Sequence, residues 1–276
     1  MEKRKGKILL SAWLTIIFVT ACSSSATVPP TPTLPPATEE PQSTATQPPP
    51  ATEGNNTPIA GEGLCANAYY PVREGSTWTY ASTGGPLGDY SFTDTISSVR
   101  EDGFTLSTQF DDLTLTQEWA CRPEGLVALQ LGGAPAALIN SQGMQLNLQV
   151  LNASGVTFPS IINPGDAWQH NLDFEGNIAM AGQEGSATGT AATSFTAIGN
   201  ESVTVPAGTF EALNIQVDST LNFDVSYQGL SIPVTFSARY NYWFAQGVGW
   251  VKASGTGSIA GQSFSETLEL QSYSIP

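Results

Sequence analysis

"LNIQVDSTLNFDVSY", residues 213–227, decides the fold. Leu213, Ile215, Val217, Leu221, Phe223, Val225 and Tyr227 are apolar, Ser219 is the only break in that series, and the alternate positions from Asn214 to Ser226 are all polar. A period of two sustained over this length describes one strand with a dry face and a wet face. At roughly 3.3 Å per residue the strand runs about 50 Å, far beyond the usual five or six residues. "QGLS", residues 228–231, then supplies a turn, and the alternation resumes at Val234, Phe236, Ala238, Tyr240, Tyr242 and Phe244. The two runs predict a long antiparallel hairpin.

The pattern extends outward from this hairpin. Met144, Leu146, Leu148 and Val150 alternate in the same way, and shorter alternations surround Phe104–Leu106 and Leu113–Leu115. No stretch shows apolar residues at the helical spacing of i, i+3, i+4 and i+7, so the domain is expected to be all-β and antiparallel. Strands this long twist and curl. The expected architecture is a strongly curved sheet, either a half-barrel or a sandwich, whose dry faces close on one another or wrap around something else.

A second regularity suggests two related β units. "WACRPEGLV" (119–127) and "WFAQGVGWV" (243–251) share Trp, five residues, Gly, a large apolar residue and Val. Each is preceded by a Gly-x-x-Trp, "GSTW" at 75–78 and "GDAW" at 165–168, and between them stand "GFTLST" from Gly103 and "GTFEALN" from Gly208. The units are expected at about residues 65–132 and 161–256. Each Gly-x-x-Trp would be a turn feeding a strand whose Trp covers one end of the core, and each longer frame a strand, a Gly turn and a return strand. Trp78, Trp119, Trp168, Trp243 and Trp250 are therefore expected mainly in the core, with a ligand groove as the other reading.

The chain opens with an export signal. Lys3, Arg4, Lys5 and Lys7 form a basic head, and the apolar run from Ile8 to Val19 is too short to span a bilayer as a helix. The segment ends in Val19-Thr20-Ala21-Cys22, which resembles the lipobox of bacterial lipoproteins, where the Cys becomes the acylated first residue. Residues 1–21 are thus expected to be a signal peptide and Cys22 a lipidation site carrying palmitate-type acyl chains. Two or more chains would hold the protein firmly at the membrane. Residues 22–61 are rich in Pro, Thr, Ala and Ser and form a linker with a reach on the order of 100 Å. The β-domain occupies 62–276.

Removing the signal takes Lys3, Arg4, Lys5, Lys7 and Glu2 from a chain of formal net charge −15, leaving −18. Such a surface repels phosphate backbones, so nucleic acid is excluded as a main partner. Cys65 and Cys121 remain in a chain bound for an oxidising compartment, and a disulfide between them is expected. On the loop-entropy model the bridge would contribute about 4 kcal/mol.

"VTVPAGTFEALNIQVD" (203–218) with "YWFAQGVGWVK" (242–252) resembles the recurring signature of secreted bacterial domains of unknown function, some likened to the open half-barrels of the LolA and LppX carrier type. "YYPVREGSTWTY" (69–80) is similar to the start of such domains, and the Pro/Thr-rich tether resembles those of Chloroflexi lipoproteins. The resemblance implies an architecture and no transferable activity. "VPAGTF" is explained by turn chemistry: Val205 ends a strand, Pro206 presets φ, and Gly208 takes positive φ before Phe210 re-enters the sheet.

No catalytic, metal or cofactor site is expected. His170 is the only histidine, no Gly-x-Ser-x-Gly elbow occurs, and no His or Cys cluster has zinc spacing. Asp111-Asp112 and Asp173-Phe174-Glu175 are carboxylate pairs by composition alone, and no spacing sets them across a groove. Two readings of function follow. In the first, a concave dry face made by Leu221, Phe223, Val225, Phe236, Tyr240 and Tyr242 accepts a lipid or other apolar ligand at the cell envelope, on the extracytoplasmic side. In the second, the domain has a closed core and serves as a tethered structural or interaction module for an envelope or cell-wall partner.

Overall fold

The structure, a computed structural model, describes residues 63–276 apart from 87, 112, 133–143, 181–182, 228 and 260. Cys22 and the expected signal and linker lie outside the described residues. A short 3-10 turn, Gly63–Cys65, leads into β1 (Thr77–Gly84), β2 (Tyr90–Arg100), β3 (Gly103–Phe110), β4 (Leu113–Arg122), β5 (Gly125–Ala128), β6 (Met144–Gly155) and β7 (Phe158–Pro159). The second half comprises β8 (Ala167–Met180), β9 (Gln183–Val205), β10 (Gly208–Tyr227), β11 (Leu230–Ala245), β12 (Gly249–Ile259) and β13 (Gln262–Ser274). Among the described residues there is no α-helix.

All strands join one 13-stranded antiparallel sheet in the order β6-β8-β9-β10-β11-β12-β13-β1-β2-β3-β4-β5-β7. The outermost strands, β6 and β7, are consecutive in the chain and separated only by Val156 and Thr157. A flat sheet of this order would hold its edges about 58 Å apart. The step from Gly155 to Phe158 reaches at most about 11 Å. The sheet must therefore curl until its edges meet at this corner. There Val156 N donates to Gln169 O at 3.0 Å on the β8 side, and Thr157 N donates to Leu126 O at 3.0 Å on the β5 side. The result is a strongly curled half-barrel with a lumen.

The quoted hairpin is the wall of that lumen. β10 and β11 pair from Ala212↔Ala245 to Tyr227↔Leu230, and Leu213, Ile215, Leu221, Phe223, Phe236, Tyr240 and Phe244 are buried. β10 begins at Gly208, earlier than its alternation alone predicts, because Gly208 at φ 142° starts the return from β9 directly after Pro206-Ala207. Curvature is helped by glycines on the inner face, where a missing Cβ lets large neighbours lean across. Gly189 lies in register between Phe174 and Phe223, and Gly255 between Tyr240 and Glu266.

The repeated frames fall on corresponding strands of two five-stranded runs, β1–β5 and β8–β12. Gly75 (φ 83°) and Gly165 (φ 96°) precede the first strand of each. Gly75 N donates to Ile96 O at 2.9 Å and Ile96 N returns to Ser76 O at 3.0 Å; Gly165 N donates to Ala197 O at 2.7 Å and Ala197 N returns to Asp166 O at 2.9 Å. Gly125 (φ 142°) and Gly249 (φ 106°) begin each fifth strand, followed two residues later by the fully buried Val127 and Val251. One hydrogen-bonding plan is thus used twice, within a single sheet.

The closed end of the lumen is plugged by a large apolar cluster that includes Tyr70, Trp78, Phe104, Trp119, Phe158 and Phe244. Cys65 and Cys121 are buried beside it and joined by a disulfide that closes a sequence separation of 56.

Candidate functional site

Beyond that plug the lumen is not filled. A cavity of about 390 Å3 remains, within the roughly 300–1,000 Å3 usual for small-molecule sites. Its wall is drawn from many strands and is mainly aromatic and aliphatic: Phe92 and Phe110, Leu172, Phe195, Leu221, Phe236, Tyr242, Trp250 and Phe264 all face it. Trp250 lies flat on Tyr80, with ring centroids 3.6 Å apart and planes within 3°, and Tyr80 donates to the Trp250 carbonyl at 2.9 Å. That stack makes one side of the wall rigid.

Of the residues expected on a ligand face, Leu221, Phe236, Tyr240 and Tyr242 line this cavity. Phe223 and Val225 share the same strand face farther along, where they belong to a satellite cluster with Phe174. Trp78 and Trp119 are core residues, and Trp119 and Trp250 also contribute to the cavity wall. Trp168 stacks on Phe195 at 5.3 Å, and Trp243 points outward, donating to Glu201 at 2.5 Å.

Two carboxyl groups and one imidazole stand among the polar groups of this wall. Glu266, only 4 % exposed, accepts hydrogen bonds from Ser82 Oγ (2.6 Å) and Tyr90 Oη (2.8 Å) on one oxygen and from Tyr240 Oη (2.6 Å) on the other. Burial first, and then the adjacent Glu266 carboxyl, raise the ionisation of Tyr90 and Tyr240 well above the ordinary phenol value. These phenols stay protonated donors. Asp94 on β2 accepts from Thr108 Oγ1 at 2.6 Å, and burial pushes its carboxyl up to about 6 against that bond's opposing effect. His170 on β8 is 6 % exposed, and its Nε2 has no hydrogen-bond partner. Burial lowers its pKa, a hydrogen bond to the Ala128 carbonyl works the other way, and the positive charge of Arg122 lowers it further.

These polar groups come from strands far apart in sequence, and only the curl brings them to one lumen. The carboxylates singled out by composition are elsewhere. Asp173 and Glu175 flank the buried Phe174 on the opposite face of β8, where Asp173 accepts from Asn152 at 3.2 Å. Asp111 is an exposed turn residue at φ 38°, and Asp112 lies outside the described residues. Among the described residues, no three His, Cys, Asp or Glu side chains converge as a metal site, and no helix is long and apolar enough to cross a membrane.

Residues 133–256, from before β6 into β12, match a protein family described as DUF3108-like. No curated protein matches the chain. Among solved structures the chain is similar to a protein with YmcC-like fold from Bacteroides fragilis, described as exported, at TM-score 0.44 and 12% identity, covering 76% of this chain and 100% of that one. It is also similar to a protein from Parabacteroides distasonis described as a lipoprotein, at TM-score 0.44 and 12% identity, with 75% and 99% of the two chains covered. The hypothetical lipoprotein YmcC of Escherichia coli aligns at TM-score 0.33 and 11% identity over 73% of this chain and 85% of that one.

Proposed function

We propose that this chain is a lipoprotein of the cell envelope whose half-barrel holds a small apolar molecule in its lumen. The observation that carries the reading is the cavity of about 390 Å3 lined mainly by aromatic and aliphatic side chains of the inner face. Protein interiors normally close such space, because each missing contact is a loss of dispersion and burial energy. Within this wall His170 presents a buried nitrogen without a partner. A bound molecule would supply both the missing contacts and the missing hydrogen bond. Export and anchoring rest on the basic head, the short apolar run and the Val-Thr-Ala-Cys sequence ending at Cys22, with residues 22–61 as the spacer that carries the domain clear of the lipid. No catalytic step is part of this reading.

The test uses the full chain carrying Cys22→Ser, so that no acyl chain is attached, and the neutral dye N-phenyl-1-naphthylamine. Saturable binding with one dye per chain is expected, and it should be lost in Ala238→Trp, which fills the lumen from β11, while the unfolding transition stays cooperative. An absence of saturable binding, or binding untouched by that substitution, would favour the closed structural module instead.

A further inference from the structure

We propose that the lumen selects its ligand by charge: it admits apolar molecules that are uncharged or amine-bearing and that donate a hydrogen bond, and it excludes those carrying a carboxylate, phosphate or sulfonate. This rests on the binding role above and narrows it to a ligand class.

The wall has no counter-ion for an anion. No Lys or Arg lines the cavity; each basic residue of the domain has a partner outside it, and the charge of Arg122 reaches the wall only through space, at His170. Arg100 pairs with Glu118 at 2.5 Å, Arg239 with Asp218 at 2.5 Å, Lys252 with Glu269 at 3.2 Å and Arg122 with Glu124 at 4.0 Å, while Arg73 donates to the Pro276 carbonyl at 2.8 Å. Against this, two acids, Asp94 and Glu266, belong to the wall.

The hydrogen-bonding inventory points the same way. The hydroxyls of Ser82, Tyr90 and Tyr240 are spent on Glu266 and that of Thr108 on Asp94. Tyr242, on the same wall, is kept neutral by burial and by the charge of Glu266. His170 Nε2 is buried without a hydrogen-bond partner, and in a neutral ring protonated at Nδ1 it carries a lone pair and accepts. Among the groups of the wall, His170 Nε2 and the carboxyls of Asp94 and Glu266 accept, and the Tyr242 hydroxyl can both donate and accept. A hydroxyl or ammonium group on the ligand completes them. An anionic head would give up its hydration and meet two carboxyl groups with no cation to offset the loss.

A matched pair of dyes tests this: N-phenyl-1-naphthylamine and 8-anilino-1-naphthalenesulfonate share one ring skeleton and differ by the sulfonate. Both are titrated into the Cys22→Ser full chain at pH 8 in about 0.5 M salt, which screens the acidic exterior within a few ångströms and leaves buried groups in force. The neutral dye is expected to bind one per chain, and the sulfonate more weakly by roughly tenfold or more. Asp94→Asn, which removes one acid and keeps its shape, should narrow that gap. Sulfonate binding as tight as that of the neutral dye overturns the selectivity and leaves the binding role standing. Failure of both dyes overturns the binding role and the selectivity with it. A gap unchanged in both Asp94→Asn and Glu266→Gln overturns the electrostatic origin assigned to it.

Discussion

Tyr240 reaches across Gly255 to hydrogen-bond Glu266: the phenol on β11 donates to Glu266 Oε2 on β13 at 2.6 Å, over the strand that separates them. A Cβ at Gly255 would stand 2.7 Å from the Tyr240 ring and 2.2 Å from the Arg239 carbonyl. The polar side of the lumen thus depends on one absent side chain. Gly255→Ala is expected to destabilise the domain by about 1–3 kcal/mol or to prevent folding, because backbone on one side and a hydrogen-bonded ring on the other leave no room to yield. Urea denaturation measures the loss.

The hydrogen bond itself can be isolated. Tyr240→Phe removes one donor from a buried carboxyl and should cost about 1–3 kcal/mol. Combined with Glu266→Gln in a double-mutant cycle, the pair should show a coupling of about 1 kcal/mol or more, since both substitutions act on one bond. Additive losses would mean that the two side chains are held independently.

Asp94 gives a pH dependence of defined sign. Its folded-state value near 6 lies above the ordinary 3.8, with burial as the cause. The fold therefore binds the proton more tightly than the unfolded chain does. The stability linked to this group is complete below pH 3.8 and is lost as pH rises through about 6. Asp94→Asn should be more stable than the parent at pH 8 by about 1–3 kcal/mol and nearly equal to it at pH 4. Denaturation at the two pH values, compared as a difference between variant and parent, separates this group from the other carboxylates.

The doubled plan predicts matching costs. Gly75 and Gly165 both have positive φ, and at neither would an added Cβ meet anything closer than 3.9 Å. The penalty for Ala is then the backbone conformation alone. Gly75→Ala and Gly165→Ala should each lose about 1 kcal/mol or somewhat more, within a few tenths of each other. A cost confined to one of them would show that the repeated hydrogen bonds are not energetically equivalent.

Opening the Cys65–Cys121 bridge is expected to cost about 2–5 kcal/mol, measured as the difference between oxidised protein and the double Cys→Ser variant.

What the sequence made legible follows from where the alternation is strong. β10 and β11 carry bulky apolar residues at every second position, so their pairing and inner face could be read directly. β9, the longest strand, could not, because its inward positions include Ala187, Gly189, Ala191, Thr193 and Ala197, small residues that leave room for Phe174 and Phe223 and so blur the period. The repeated Trp and Gly frames were visible as spacing, and their meaning lay in backbone bonds that no spacing displays. Asp94, His170 and Glu266 were the least legible. Each sits singly in its own strand, and they become neighbours of one cavity only because the short link from β6 to β7 forces the sheet to close. Thr93-Asp94-Thr95 and Ser265-Glu266-Thr267 look like surface strands in isolation. A carboxylate at an inward position of the alternating period was the one signal that could have marked them.

Native mass spectrometry of the Cys22→Ser full chain, purified without detergent, reads whether the lumen holds an apolar molecule. A second species is expected, heavier by the mass of one small, uncharged or amine-bearing apolar compound and released on denaturation. A single apo mass under gentle conditions, from protein that also fails to bind the neutral dye, would contradict the binding role.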